Sequence, residues 1–168
     1  MKIIGTRVYF YRPSDMFSNH YICPMEIDGI VFNCVEQYMM YQKAILFGDT
    51  ETAKMIINEP LPKIQKQHGR SVKGFDDALW NVKKFDIVYK ACYHKFHDTE
   101  LIEGLDQFAP YEFVEASPTD KIWGIGISID DTETIMDETK WQGANLLGQI
   151  ITEVVREVLL EKAKQKRI

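Results

Sequence analysis

The stretch from Phe32 to Phe47, FNCVEQYMMYQKAILF, constrains the fold most, because it sets two opposite charges inside an otherwise apolar helix. At about 100° per residue, Glu36, Met40, Lys43 and Phe47 share one stripe, while Val35, Tyr38, Met39, Tyr41, Ala44, Ile45 and Leu46 cover most of the rest. A helix apolar on nearly all sides is a buried helix. The spacing therefore predicts that Glu36 and Lys43 lie at or near the interior, where an ionised group costs several kcal/mol unless partnered or facing a wet cavity. Their separation is roughly 10.5 Å along the axis, too far for an i,i+4 pair and enough to leave room for a small ligand. This pattern reads as a cleft wall. A purely structural reading stands beside it: Asn33 and Glu36 have the form of a capping box, and Lys43 can snorkel to water from the edge of a packed helix.

A chain of 168 residues that is 45% apolar is predicted to form one ordinary soluble domain, residues 1–168, with a core of useful size and a charged helix end at about 160–168. The formal charge of −5 argues against wrapping a nucleic-acid backbone over a broad surface, but leaves room for a small basic site within a cleft and for a nucleotide substrate. Cys23, Cys34 and Cys92 are odd in number and without a C-x-x-C, which suggests neither a disulfide framework nor a zinc site and fits a reducing cytoplasm. His94 and His97 can share a face, but with no further ligand nearby they do not make a metal site. The N-terminus alternates apolar and polar residues, unlike a secretory signal, and no run approaches the length of a membrane span.

In chain order, Arg7 to Tyr11 reads as a strand, and the loop Phe17-Ser18-Asn19-His20-Tyr21 gathers hydrogen-bonding and stacking groups where binding residues tend to sit. Met25 to Phe32 reads as a hairpin turning at Asp28-Gly29, which delivers the chain to the central helix. A helix from Asp49 or Thr50 to Asn58 follows, then a short one around Lys63 to Gln67 with Gly69 as C-cap, beside which Arg70 could serve a phosphate or stand as an exposed loop arginine. Asp76 or Asp77 caps the longest helix, to Phe96, whose face is Leu79, Val82, Phe85, Val88, Cys92 and Phe96; Trp80 falls off that row. Thr99 to Phe108 is predicted as a short helix, Tyr111 to Ala116 and Ile127 to Ile129 as strands, and Asp130 to Glu138 as a solvated loop. Between these, Asp120 sits in a polar turn before Trp123 and Gly124, either as an Asx cap or as a carboxylate with a chemical role, and Asn145 is placed to cap the final helix.

Five motifs stand in one order: FSNHY, DGIVFNCVEQYMMYQKAILFGD, HGR followed by the helix with Trp80, VEASPTDKIWGIG, and WQGANLLG. Together they resemble the YbiA-like, or NADAR, family, from about Tyr9 to Leu159. The resemblance implies an α+β fold, a single mainly helical domain with a small antiparallel β portion, and N-glycosidase chemistry on ribosylated nitrogen compounds. The substrates it implies are early riboflavin-pathway intermediates, or ADP-ribose attached to a nucleobase, notably guanine; no metal or redox cofactor is implied. By motif, Glu36 and Lys43 fall on the pocket helix, Trp80 on the motif tryptophan, Asp120, Trp123 and Gly124 on the D-x-x-W-G turn, Asn145 on the G-x-N-x-L-G turn, and Phe17, Ser18 and Asn19 on the F-S-N loop.

Breaking an N-glycosidic bond builds positive charge on the ribose C1, so a site needs a carboxylate beside the sugar and a base to activate water. Glu36 and Asp120 are candidates for these two roles. Lys43 either stabilises substrate charge or, with a pKa depressed by burial, attacks C1 and passes through an imine. Trp80 and Trp123 would hold a flat base or sugar face, with Asn145 and the Phe17 to Asn19 loop fixing hydroxyls and phosphates. The alternative is a catalytically silent module that binds ADP-ribose or NAD, for which a carboxylate beside an anionic ligand gains little. Short single-stranded nucleic acid ends remain allowed as partners, membranes do not, and the sequence leaves oligomeric state open.

Overall fold

The computed structural model describes residues 1–166; of the charged C-terminal segment, Arg167 and Ile168 lie outside the described residues. The architecture is α+β and mainly helical. Strands β1 (Lys2–Ile4), β2 (Arg7–Phe10), β3 (Met25–Ile27) and β4 (Ile30–Phe32) lead into helices α1 (Val35–Leu46), α2 (Thr50–Asn58), α3 (Pro62–Arg70) and α4 (Asp77–His97). A 3-10 helix at Glu100–Phe108, strand β5 (Glu112–Glu115), helix α5 (Thr132–Met136), a 3-10 turn at Glu138–Lys140 and helix α6 (Leu146–Gln165) complete the order. These elements fall into two units, one from Asn19 to Thr99 and the other combining Met1–Ser18 with the chain from Glu100 onward. Among the described residues no helix is long and apolar enough to cross a membrane.

In the Asn19–Thr99 unit, β3 and β4 form the expected hairpin, Met25 opposite Phe32, with Asp28 and Gly29 both at positive φ in the turn. Helix α1 packs on α2, α3 and α4. Its first turns are buried and its last turn surfaces, with Ile45 44% exposed. Asp49 caps α2 by accepting from Thr52 N at 3.1 Å, as its residue type predicts. Gly69 is not the C-cap that the sequence suggests: α3 runs through it to Arg70. A Cβ at Gly69 would fall 1.8 Å from Met40 Sδ, so glycine is needed there for the close approach of α3 to α1. On α4 the buried row is Trp80, Val88, Ala91, Cys92, Lys95 and Phe96. Leu79 and Val82, expected on the inner face, are 39% and 71% exposed, so the face predicted for the first half of the helix is rotated from the real one.

In the other unit, β2 is the middle strand of a three-stranded sheet, antiparallel to β1 and parallel to β5, with Val8 opposite Phe113. Side chains of α6 and the turn before it cover the open edge of β5. Phe113 N donates to Thr152 Oγ1, Asn145 Nδ2 donates to Phe113 O, and Glu115 N donates to Asn145 Oδ1, each at 3.0 Å. Ile127 and Ile129 are buried with Tyr9, Val114, Ala116, Ile125 and Ile135, yet they lie in turns, because burial here comes from a folded loop rather than a ladder. The acidic run is not a simple loop either: Asp131 caps α5 through Thr134 N, and Asp137 caps the turn after it through Thr139 N.

Candidate active site

Local bonding decides between the two readings of Glu36. The N-cap of α1 is Cys34 in extended backbone, one residue later than the expected Asn33, so the third helical position is Gln37. Gln37 Oε1 accepts from Asn33 N at 2.7 Å, and its amide group reaches the Ile56, Ile57 and Glu59 carbonyls. Asn33 is occupied elsewhere, donating to Pro60 O and accepting from Gln65 Nε2. Glu36 therefore caps nothing. It is 2% exposed, its backbone N–H donates to Asn19 O at 3.0 Å, and its Oε2 lies 3.5 Å from His20 Nε2. Glu36 Oε1 and the side-chain oxygen of Asn19 are both sealed and without a hydrogen-bond partner among the described residues. A buried carboxylate with an idle oxygen costs stability and calls for an explanation other than helix capping.

Lys43 is half-buried and its ammonium is engaged by its neighbours. Its ammonium donates to Gly69 O at 2.8 Å and lies over the rings of Phe75 at 4.4 Å and Trp80 at 5.7 Å. The glycine that lets α3 approach α1 also presents the carbonyl that docks the lysine. Burial lowers the Lys43 pKa; Glu36 pulls it up, and the Arg70 guanidinium pushes it down again. Arg70 is the exposed last residue of α3, so its charge reaches Lys43 from the rim. Trp80, 9% exposed, is held in the first turn of α4, which Asp76 caps by accepting from Leu79 N at 2.9 Å. This unit thus joins Asn19 to Glu36 by a backbone bond, and Lys43 to Trp80 and Arg70 by ring contact and charge.

The remaining expected residues belong to the other unit. Phe17 is 1% exposed, with its ring centroid 4.5 Å from Phe113 and 5.0 Å from Phe108, so it is a core residue. Ser18 is buried, its N–H donating to Asp15 O. Asp120 Oδ1 accepts from Ile122 N and Trp123 N at 2.9 and 2.8 Å, the Asx turn that its sequence position allows. Trp123 is half-buried, and a Cβ at Gly124 would come within 2.7 Å of Glu115 O. Backbone bonds tie the two turn motifs together: Ala144 N to Lys121 O, Asn145 N to Gly124 O and Leu147 N to Trp123 O. Asn145 does not cap α6 with its side chain. It stands in the left-handed region at φ 52° and spends its amide on β5. A cavity of about 280 Å³ in the same unit is lined by Arg7, Trp141, Asn145 and Arg156 among others. Arg7 there lies over Trp141 and pairs with Glu112 and Glu138, so its charge is spent within the wall.

Three residues around Glu36 and Lys43 escaped sequence reasoning. His20 was visible only as part of a polar loop. Phe75 lies outside any periodic segment, and nothing in the sequence says that it faces Lys43. Lys95 had a signal: it falls in the middle of the stripe that Trp80, Val88 and Ala91 define. It is 1% exposed, lies over Tyr21 and Phe96, and burial pushes its pKa down to about 8 against the thiols of Cys92, Cys23 and Cys34. Among the described residues no three His, Cys, Asp or Glu side chains gather as a metal-binding group.

A family model for the NADAR domain matches residues 9–160. The chain belongs to the NADAR family. The chain is similar to Protein irg-1 of Caenorhabditis elegans, 36% identical over an aligned length of 170 residues that covers 90% of this chain and 79% of the relative. N-glycosidase R617 of Acanthamoeba polyphaga mimivirus is 41% identical over 123 residues, 73% of this chain and 72% of the relative. Among solved structures, the NMR structure of the E. coli protein YbiA superposes with a TM-score of 0.76 at 28% identity, covering 94% of this chain and 88% of YbiA. The α+β fold of this NADAR domain is therefore the YbiA fold.

Proposed function

We propose that this NADAR protein is an N-glycosidase that hydrolyses a ribosyl C1–N bond, either in an ADP-ribosylated nucleobase such as guanine or in a ribosylaminopyrimidine intermediate of riboflavin synthesis. The observation that carries the reading is the buried, non-capping carboxylate of Glu36 with an oxygen left idle. Family membership supports the same class of chemistry, as does the similarity to a protein named N-glycosidase.

The chemistry follows from the charges. As the C1–N bond lengthens, its electrons leave with the base nitrogen and C1 takes on oxocarbenium character. Glu36, fixed at the start of α1, supplies negative charge beside that carbon in a site where water is scarce and the interaction correspondingly strong. Water then adds to C1, its proton passes to a carboxylate, and the departing nitrogen is protonated. Asp120 is the second candidate carboxylate for proton transfer. Lys43, held over two aromatic rings with a lowered pKa, serves substrate oxygens or phosphate by its charge, or in its neutral form attacks C1 and forms an imine with the opened sugar. Trp80 supports the flat face of base or sugar, and Arg70 at the rim suits a phosphate.

The test incubates purified protein with an ADP-ribosylguanine oligonucleotide, a ribosylaminopyrimidine phosphate and NAD in parallel and reads released base by mass spectrometry beside Glu36→Gln. Glu36-dependent release from one of them supports the reading and names the substrate. Binding of ADP-ribose with release from none would replace it with a silent binding module. Borohydride trapping separates the two roles of Lys43, since the imine route requires a substrate-dependent adduct on that residue.

A further inference from the structure

We infer that Asn19 and Glu36 together read the hydroxyls of the reacting sugar, so that the enzyme takes ribosides and rejects their 2-deoxy counterparts; this rests on the glycosidase reading above. Asn19 is 6% exposed and Glu36 2%, and each keeps one sealed side-chain oxygen without a hydrogen-bond partner among the described residues. The bond from Glu36 N to Asn19 O sets the two residues side by side. Two idle oxygens on residues joined by a backbone bond suit a ligand with two adjacent donors. A vicinal diol supplies them, and in a ribosyl ring one of those hydroxyls is on the carbon next to C1, where the carboxylate is needed. Each hydroxyl both donates and accepts, so it satisfies either end of the asparagine amide.

Other occupants fit less well. A calcium ion takes six to eight oxygen ligands, and two are offered here. An ammonium group would join positive charge already supplied by Lys43, which couples to Glu36 and Arg70. The contact from Glu36 Oε2 to His20 Nε2, at 3.5 Å, is longer than an ordinary hydrogen bond and holds the carboxylate weakly. A hydrogen bond from the 2-hydroxyl to this carboxylate strengthens as C1 becomes cationic, so the hydroxyl acts on turnover more than on ground-state binding. A site built to pair a hydroxyl rejects the analogue without it, because its own polar group is then left buried and unpaired.

The experiment compares the ADP-ribosylguanine oligonucleotide and the ribosylaminopyrimidine phosphate, each beside the analogue whose reacting sugar lacks only the 2-hydroxyl. On the substrate that turns over, kcat/KM for the deoxy analogue is expected to fall at least ~10- to 100-fold, mostly in kcat. The fall runs against intrinsic reactivity, since deoxy N-glycosides break more readily in water. Asn19→Ala is expected to lower the ribo rate and bring the two rates together. Equal or faster cleavage of the deoxy analogue by the wild-type enzyme overturns the inference and leaves the glycosidase reading standing. No release from either ribosyl substrate or from NAD overturns the glycosidase reading, and this inference with it. The wild-type comparison needs no variant, so a misfolded Asn19→Ala does not alter the decision.

Discussion

Asn145 carries a motif position whose side chain is spent on structure, and its replacement gives a stability order that a ligand residue would not. The residue stands at φ 52° and ψ 39°, a region that costs alanine about 1–2 kcal/mol and asparagine less. Its amide makes two bonds to β5, one of them to the buried Phe113 carbonyl. Asn145→Ala loses both bonds, at about 1 kcal/mol each, and adds about 1 kcal/mol of backbone strain, so about 3 kcal/mol of stability goes. Asn145→Gly loses the same bonds without the strain and gives up about 2 kcal/mol. In a protein of this size each kcal/mol moves Tm by about 2–4 °C, which places the alanine variant roughly 6–12 °C below wild type and the glycine variant between them. Urea unfolding followed by circular dichroism, with thermal melts beside it, reads the order directly. An alanine variant within about 0.5 kcal/mol of wild type, or more stable than the glycine variant, would refute the bracing role. Activity lost without stability would return Asn145 to the binding residues.

Asp120→Asn keeps the Oδ1 acceptor for Ile122 N and Trp123 N, so it is expected to melt with wild type, whereas Asp120→Ala loses the turn and about 1–2 kcal/mol; a fall in base release in the asparagine variant alone would assign the carboxylate a chemical role, and unchanged release would leave it a turn residue. Lys95 gives a pH signature. Its folded pKa of about 8 lies below the usual 10.5, so above pH 8 the unfolded chain holds a proton that the fold has released, and stability climbs with pH. Cys34 and Cys92, held near 12 by burial, pull the other way above their usual 9.0, which leaves pH 8 to 9 as the window to read, where the lowered Lys43 pKa adds in the same direction as Lys95. Lys95→Met is expected to remove most of the climb there, leaving the smaller part that Lys43 contributes. Parallel denaturant curves with the same slope in both proteins would contradict the assignment.

Much of the fold was legible because its signals are local. Asp49 and Asp76 announced their helices as cap residues, and Asp28-Gly29 announced the hairpin, since each works through the backbone within a few residues of itself. The buried face of α4 is not legible from apolar periodicity, because Leu79 and Val82 are apolar yet exposed while the buried row includes a lysine. Strand β1 was missed because three residues with one polar partner carry no period. The pairing of Glu36 with Lys43 on one helix was readable from the wheel. That Gln37 rather than Glu36 serves the cap was not, because a one-residue shift in helix start exchanges the two roles. Phe75 and the Gly69 carbonyl meet Lys43 through packing between elements, which no spacing along the chain encodes.

The most direct test of the account is single-turnover base release by Glu36→Gln on the substrate that the wild-type protein cleaves, read beside calorimetric binding of the sugar product. Release is expected to fall by ~10²–10⁴-fold, with product affinity within a few fold of wild type and an unchanged melt. Release near the wild-type rate would contradict it, because the buried carboxylate at the start of α1 would then have no part in breaking the bond.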